Sequence, residues 1–149
     1  MLDPDVRETI QQGYRQFLKS RDLSPRLGQK QMIAAVANAL TNTDPDKRVA
    51  VVEAGTGTGK TIAYAVAAIP MAQALGKRLV VATATIALQE QFVNKDLPDI
   101  RQASGLNFSF ALAKGRRRYV CLSKLDRLMA DGQGESGLLP LYPDEVGTP

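Results

Sequence analysis

Histidine and tryptophan are absent from this sequence, and aromatic residues make up only 5% of it. No imidazole from within the chain can act as a general base, complete a nucleophile–base triad or ligate zinc. A single cysteine, Cys121, excludes an internal disulfide and a self-contained thiolate metal site. Long apolar runs are missing as well. The longest, Ile62 to Ala72, contains Pro70 and falls well short of the ~20 residues that span a bilayer. The N-terminus, Met1-Leu2-Asp3-Pro4-Asp5, is acidic and lacks the basic-then-apolar order of a signal peptide. A soluble, cytoplasmic chain with no membrane partner is the simplest expectation.

What is present is ordinary globular material: 149 residues, 44% hydrophobic and 23% charged, about one domain's worth. The net charge of +4 is unevenly spread. Asp131, Glu135, Asp144 and Glu145 are the only charges from residue 131 onward, so every lysine and arginine lies before them. Lys114, Arg116, Arg117, Arg118, Lys124 and Arg127 crowd around the single acid Asp126. Such a cluster suits a polyanion, and a solvated charged face accounts for it equally well.

Periodicity organises the rest. Asp3-Pro4 reads as a helix cap, and Val6, Ile10, Tyr14, Phe17 and Leu18 recur at helical spacing, which predicts an amphipathic helix over 4–20. A second helix is expected over 27–40, with Met32, Ile33, Val36 and Leu40 on one face. Val49 to Val52 and Arg78 to Ala82 read as buried strands, and Leu106 to Leu112 as a weaker one. Helices are expected from Lys60 to about Ala74, from Thr85 to Asn94 and from Cys121 to Ala130. Alternating strands and helices predict an α/β fold with a parallel sheet flanked by helices. From residue 131 glycines and prolines leave an irregular tail.

Between the first expected strand and the helix after it lies Ala54-Gly55-Thr56-Gly57-Thr58-Gly59-Lys60-Thr61. The P-loop (Walker A) pattern is G-x-x-x-x-G-K-[ST]; Gly59, Lys60 and Thr61 match it, while Ala54 stands in the place of the first glycine. Glycines 55, 57 and 59 allow positive φ and close approach of backbone N–H groups to an anion. The helix N-terminus at Lys60 adds its partial positive charge. In this pattern Lys60 reaches the β- and γ-phosphates of ATP, and the Thr61 hydroxyl ligates Mg²⁺. Upstream, Gln29 in Arg26-Leu27-Gly28-Gln29-Lys30-Gln31-Met32 is a candidate adenine reader, since one carboxamide can donate to and accept from one base edge. An exposed helix glutamine is the alternative.

These segments together resemble a known family. Glu53 to Thr61 looks like motif I of superfamily 2 helicases, more narrowly that of the DinG family, relatives of the XPD helicase. Arg26 to Met32 resembles the family's R-x-x-Q-x-x-M segment. Val80 to Gln91 resembles motif Ia, followed by Lys95-Asp96-Leu97-Pro98. Lys114-Gly115-Arg116-Arg117-Arg118-Tyr119-Val120-Cys121 resembles the lead-in to the first cysteine of an iron–sulfur domain.

The resemblance implies a RecA-like P-loop NTPase motor domain over 1–115 and the start of a cluster domain over 116–149. It implies an ATP-driven helicase moving 5′ to 3′ on single-stranded DNA, serving repair or replication, with a [4Fe–4S] cluster in which Cys121 is one ligand. It places Thr83, Thr85 and Gln89 on the DNA backbone and leaves Arg116, Arg117 and Arg118 suited to the same task. Helix capping by Thr83 or Thr85 remains open beside that role.

Parts of such a machine are not found. The Mg²⁺-binding D-E-x-H strand of motif II is absent, and Asp144-Glu145 does not replace it, because Leu141-Tyr142-Pro143 precedes it. A [4Fe–4S] cluster needs four thiolates, and Cys121 supplies one. The expectation is therefore the N-terminal part of a longer helicase, nearly inactive without the remainder of its chain. A non-hydrolysing nucleotide-binding module and a P-loop kinase are the alternatives.

Overall fold

The computed structural model describes residues 2–131, apart from the side chains of Arg117 and Asp131, and these residues fall in two compact units that divide between Ala111 and Leu112. In the first, the Asp3 carboxylate accepts the Asp5 N–H at 2.8 Å, and Pro4 opens α1 (Pro4–Ser20), where its missing N–H is harmless. Ile10, Gly13, Tyr14, Phe17 and Leu18 form the buried stripe of α1, as their spacing requires. Helix α2 (Leu27–Thr41) follows Pro25. Its buried residues are Ala37 and Ala39, while Leu40, expected inside, is 41% exposed. α2 packs on α3, and small side chains permit that close approach.

α3 (Lys60–Ala74) is the centre of the unit. Every residue from Ile62 to Met71 except the half-buried Tyr64 is buried, so this helix is apolar all round instead of striped. It contacts α1, α2 and α5 (Leu97–Ser104). One hydrophobic cluster joins Tyr14 and Phe17 of α1, Val66 and Ile69 of α3, and Ile100 and Ala103 of α5. α3 ends where Gly76, at φ +60°, lets the Lys77 N–H reach back to the Ala72 carbonyl at 2.8 Å.

Two expectations need correction. The helix expected over 85–94 is longer: α4 (Ile86–Gln91) runs through a π turn at Phe92–Asp96 into α5. The Leu97 N–H donates to the Phe92 carbonyl, five residues back, and the widened turn accommodates Pro98, which has no N–H to give the preceding helix. The three expected strands do not form among the described residues. A strand exists only with a neighbour about 4.8 Å away to share its N–H and C=O groups, and none of these segments has one. In the first two segments apolar side chains stay bare, Val51 93% exposed and Val80 86%, whereas Leu106 of the third is buried in the core.

In the second unit Arg116–Arg118 form a single 3₁₀ turn, and the Lys114 N–H donates to the Tyr119 hydroxyl at 2.8 Å. α6 (Leu122–Asp131) starts one residue later than expected, the Cys121 carbonyl accepting the Lys124 and Leu125 N–H groups. The irregular tail lies, from residue 132 on, outside the described residues. Among the described residues no helix is long and apolar enough to cross a membrane.

Candidate functional site

The glycine-rich loop folds as a cradle. Gly57 (φ +73°) and Gly59 (φ +77°) occupy the left-handed region that side chains disfavour, so these two positions need glycine. Gly55 does not adopt positive φ, and its role is limited to leaving room. Among the described residues the Gly57 and Gly59 N–H groups donate to no acceptor. Gly59 also caps α3, whose first N–H groups have no intrahelical partner. A concentration of unused donors at a helix N-terminus favours an anion.

Lys60 closes the cradle on itself. Its ammonium donates to the Ala54 carbonyl at 2.8 Å and the Gly55 carbonyl at 2.7 Å, while the Thr58 hydroxyl donates to the Gly55 carbonyl at 2.8 Å. Thr56 is exposed in the turn. The cation is thus held at the mouth of the loop, and an incoming phosphate exchanges two neutral acceptors for charged ones, which bind an ammonium more strongly.

Gln29 belongs to the same site. Its Nε2 donates to the Thr58 carbonyl at 3.0 Å, and its Oε1 accepts from the Tyr14 hydroxyl at 2.7 Å. Arg26, three residues earlier, donates to the Gly57 carbonyl at 3.0 Å. The start of α2 therefore grips the loop at two successive carbonyls. Gln29, Met32, Val52, Ala54, Thr58 and Lys60 line a cavity of about 470 Å³ beside it. Sequence reasoning placed Tyr14 only in an apolar stripe. The missed signal is its hydroxyl, because a buried phenol needs a hydrogen-bond partner where phenylalanine would not.

Thr61 follows Lys60 on the first turn of α3, hydrogen-bonded to Tyr64 one turn on. Burial raises the Tyr64 phenol above its ordinary value; the Thr61 hydrogen bond works against this and the Asp96 carboxylate adds to it. Tyr64 also faces Phe92, ring centroids 6.1 Å apart. Among the described residues no group of three or more acidic, cysteine or histidine side chains could hold a metal ion. The residues of the cradle fit Mg²⁺ only through Thr61 and the phosphates of a bound nucleotide. Nor does the chain fit an iron–sulfur cluster by itself, since Cys121 is one exposed thiol.

The remaining candidates of the first unit lie around the start of α4. Thr85 is the N-cap of α4: its hydroxyl accepts the Leu88 N–H at 3.2 Å, which settles the choice of cap between Thr83 and Thr85. The Thr83 hydroxyl donates to the Thr85 carbonyl at 3.2 Å. Gln89 is half-buried one turn into α4. Arg116 and Arg118 are exposed in the second unit, as is Cys121.

A glycine-rich cradle at the head of a buried helix, with a glutamine and an arginine reaching it from the preceding helix, has the form of a P-loop. Residues 26–129 match the DEAD/DEAH box helicase family, and the chain belongs to that family. Membership carries the RecA-like P-loop fold class with it. Among its relatives is the ATP-dependent DNA helicase DinG of Photobacterium profundum, 42% identical over 132 residues that make up 87% of this chain and 19% of that protein. The ATP-dependent DNA helicase YoaA of Haemophilus influenzae is 43% identical over 108 residues, 72% of this chain and 16% of that protein. DinG of Escherichia coli K12 is 40% identical over 125 residues, 84% of this chain and 17% of that protein. The chain thus spans under a fifth of the length of these relatives.

Proposed function

We propose that this chain is the nucleotide-holding part of an ATP-dependent DNA helicase. The observation that carries the reading is the pair of left-handed glycines with unused N–H groups, set at the head of α3 with the Lys60 ammonium at the loop mouth. In this reading those amides and Lys60 bind the phosphates of ATP, Thr61 binds Mg²⁺, and Gln29 reads the adenine edge. Residues 54–61 and Gln29 form the nucleotide site. Lys60 and Thr61 act in catalysis by stabilising charge on the transferring phosphoryl group.

The DNA side of the proposal rests on chemistry and resemblance. Thr83, Thr85 and Gln89 offer hydroxyl and amide groups near the start of α4 that suit phosphate oxygens of a single strand. Arg116, Arg117 and Arg118 supply positive charge. Translocation 5′ to 3′, a role in repair or replication, and Cys121 as one of four cluster ligands come with the DinG resemblance. The bare valines at 49–52 and the Leu79–Val80 segment suit strands of a parallel sheet completed by further strands. The groups that orient water and complete Mg²⁺ coordination are expected elsewhere, so hydrolysis by these residues alone is expected to be very weak.

The test is DNA-stimulated ATP hydrolysis in a chain extended to the length of its relatives. Lys60→Ala abolishes it if the reading holds. A variant that still hydrolyses ATP and unwinds DNA at the unsubstituted rate refutes it.

A further inference from the structure

We propose that Tyr14 is a positioning residue that sharpens base selectivity, by holding the Gln29 carboxamide in the orientation that the Thr58 carbonyl selects. This inference rests on the reading of Gln29 as the adenine contact.

A glutamine side chain has two N–H donors and two acceptor sites on its oxygen. The Thr58 carbonyl can only accept, so the group it meets at 3.0 Å must be Nε2. That leaves Oε1 toward Tyr14, whose hydroxyl donates to it at 2.7 Å. One donor and one acceptor are consumed, and one of each remains. Adenine presents the complement, an N6 donor beside the N7 acceptor, whereas guanine presents two acceptors, O6 and N7. Held this way, Gln29 pairs with adenine and sets its oxygen against the O6 of guanine.

The Thr58 carbonyl selects this orientation, and Tyr14 can hold it because it is itself immobile. Tyr14 is 6% exposed in the cluster that joins α1, α3 and α5, and that packing fixes where the hydroxyl points. Gln29 is confined from the other side by Gly59, where a Cβ would collide with Nε2. Without the Tyr14 hydroxyl, Oε1 has no inner partner, and the outward face is no longer set by two constraints.

The experiment measures Kd for Mg·ATP, Mg·GTP, Mg·7-deaza-ATP, which lacks the N7 acceptor, and magnesium triphosphate. Tyr14→Phe, which keeps the ring, is compared with Gln29→Ala. The expected result is that Tyr14→Phe lowers the ATP-over-GTP preference about five- to tenfold, the scale of one hydrogen bond, with triphosphate affinity unchanged. It also shrinks the penalty for 7-deaza-ATP. Gln29→Ala removes the preference. If Gln29→Ala removes it and Tyr14→Phe leaves it intact, the positioning role is wrong. If Gln29→Ala leaves it intact, the adenine reading itself fails. Should Tyr14→Phe not fold, the side-chain amide protons of Gln29 in the unsubstituted protein decide. Exchange-protected signals with a nuclear Overhauser contact to the Tyr14 ring support the proposal, and freely exchanging ones refute it.

Discussion

The carboxamide of Gln29 lies so close to the Gly59 Cα that a methyl group there would overlap Nε2. Gly59 is also at φ +77°, which costs a side chain roughly 1–2 kcal/mol. Gly59→Ala therefore meets two penalties and Gly57→Ala, with open space around it, only one. Gly59→Ala should lower the melting temperature and weaken ATP binding more than Gly57→Ala does. Equal effects in calorimetry and titration would show that the glutamine contact does not matter.

In the proposed nucleotide complex, Lys60 exchanges the two carbonyls that it now holds for phosphate oxygens. Lys60→Ala removes a charge-assisted interaction of about 1.5–3 kcal/mol, so ATP affinity should drop about 10- to 100-fold, and the melting temperature without nucleotide should also fall as the bonds to the Ala54 and Gly55 carbonyls are lost. Titration and thermal unfolding with and without Mg·ATP check both halves.

Thr85 is engaged by its own helix, which changes how a DNA-binding variant must be read. Thr85→Ala should cost about 1 kcal/mol by removing the cap, and Thr85→Ser should restore it. A fall in single-strand affinity in Thr83→Ala, which leaves the Thr85 cap in place, would separate contact from capping. Denaturant melts run beside fluorescence-anisotropy titrations give the answer.

Tyr64 makes a prediction in alkali. Its folded value is raised above the ordinary 10.0, mainly by burial, so the folded state holds the phenol proton more tightly than the unfolded one. Its contribution is fully present below about pH 10 and is lost as pH rises through the folded value. The stability difference between the unsubstituted protein and Tyr64→Phe should be flat at neutral pH and turn against the unsubstituted protein above pH 10. A difference that stays flat there would refute it.

Charge alone is tested at the 3₁₀ turn. Replacing Arg116, Arg117 and Arg118 with glutamine should weaken single-stranded DNA binding. The slope of log K against log salt should fall by up to about 2, since each phosphate no longer neutralised removes about 0.7. An unchanged slope would make the cluster a solvated face.

Much of the fold is legible in the sequence where the determinants are local. Asp3-Pro4 sets the start of α1, Gly59-Lys60 that of α3, and Gly76 its end. The cradle is legible too, because glycines at 57 and 59 state a backbone requirement directly. What is hidden depends on partners distant along the chain. Tyr14 and Gln29 are fifteen residues apart and meet only after two helices pack. Val49–Val52 has strand composition, yet composition cannot supply the neighbour that makes a strand. The Phe92–Asp96 turn escapes a sequence reading because a proline that breaks an α-helix can be accommodated by widening the preceding turn.

Val51 and Val80 carry a practical consequence. Each is a branched aliphatic side chain turned almost wholly to water, on backbone with no ladder partner. Covering such surface yields about 25 cal/mol for every Å² removed from solvent. Two molecules meeting through these segments satisfy both the side chains and the idle amides at once. Concentrated solutions should accordingly thicken into oligomers whose infrared amide I band shifts toward cross-strand frequencies, and a lysine at position 51 should keep them clear.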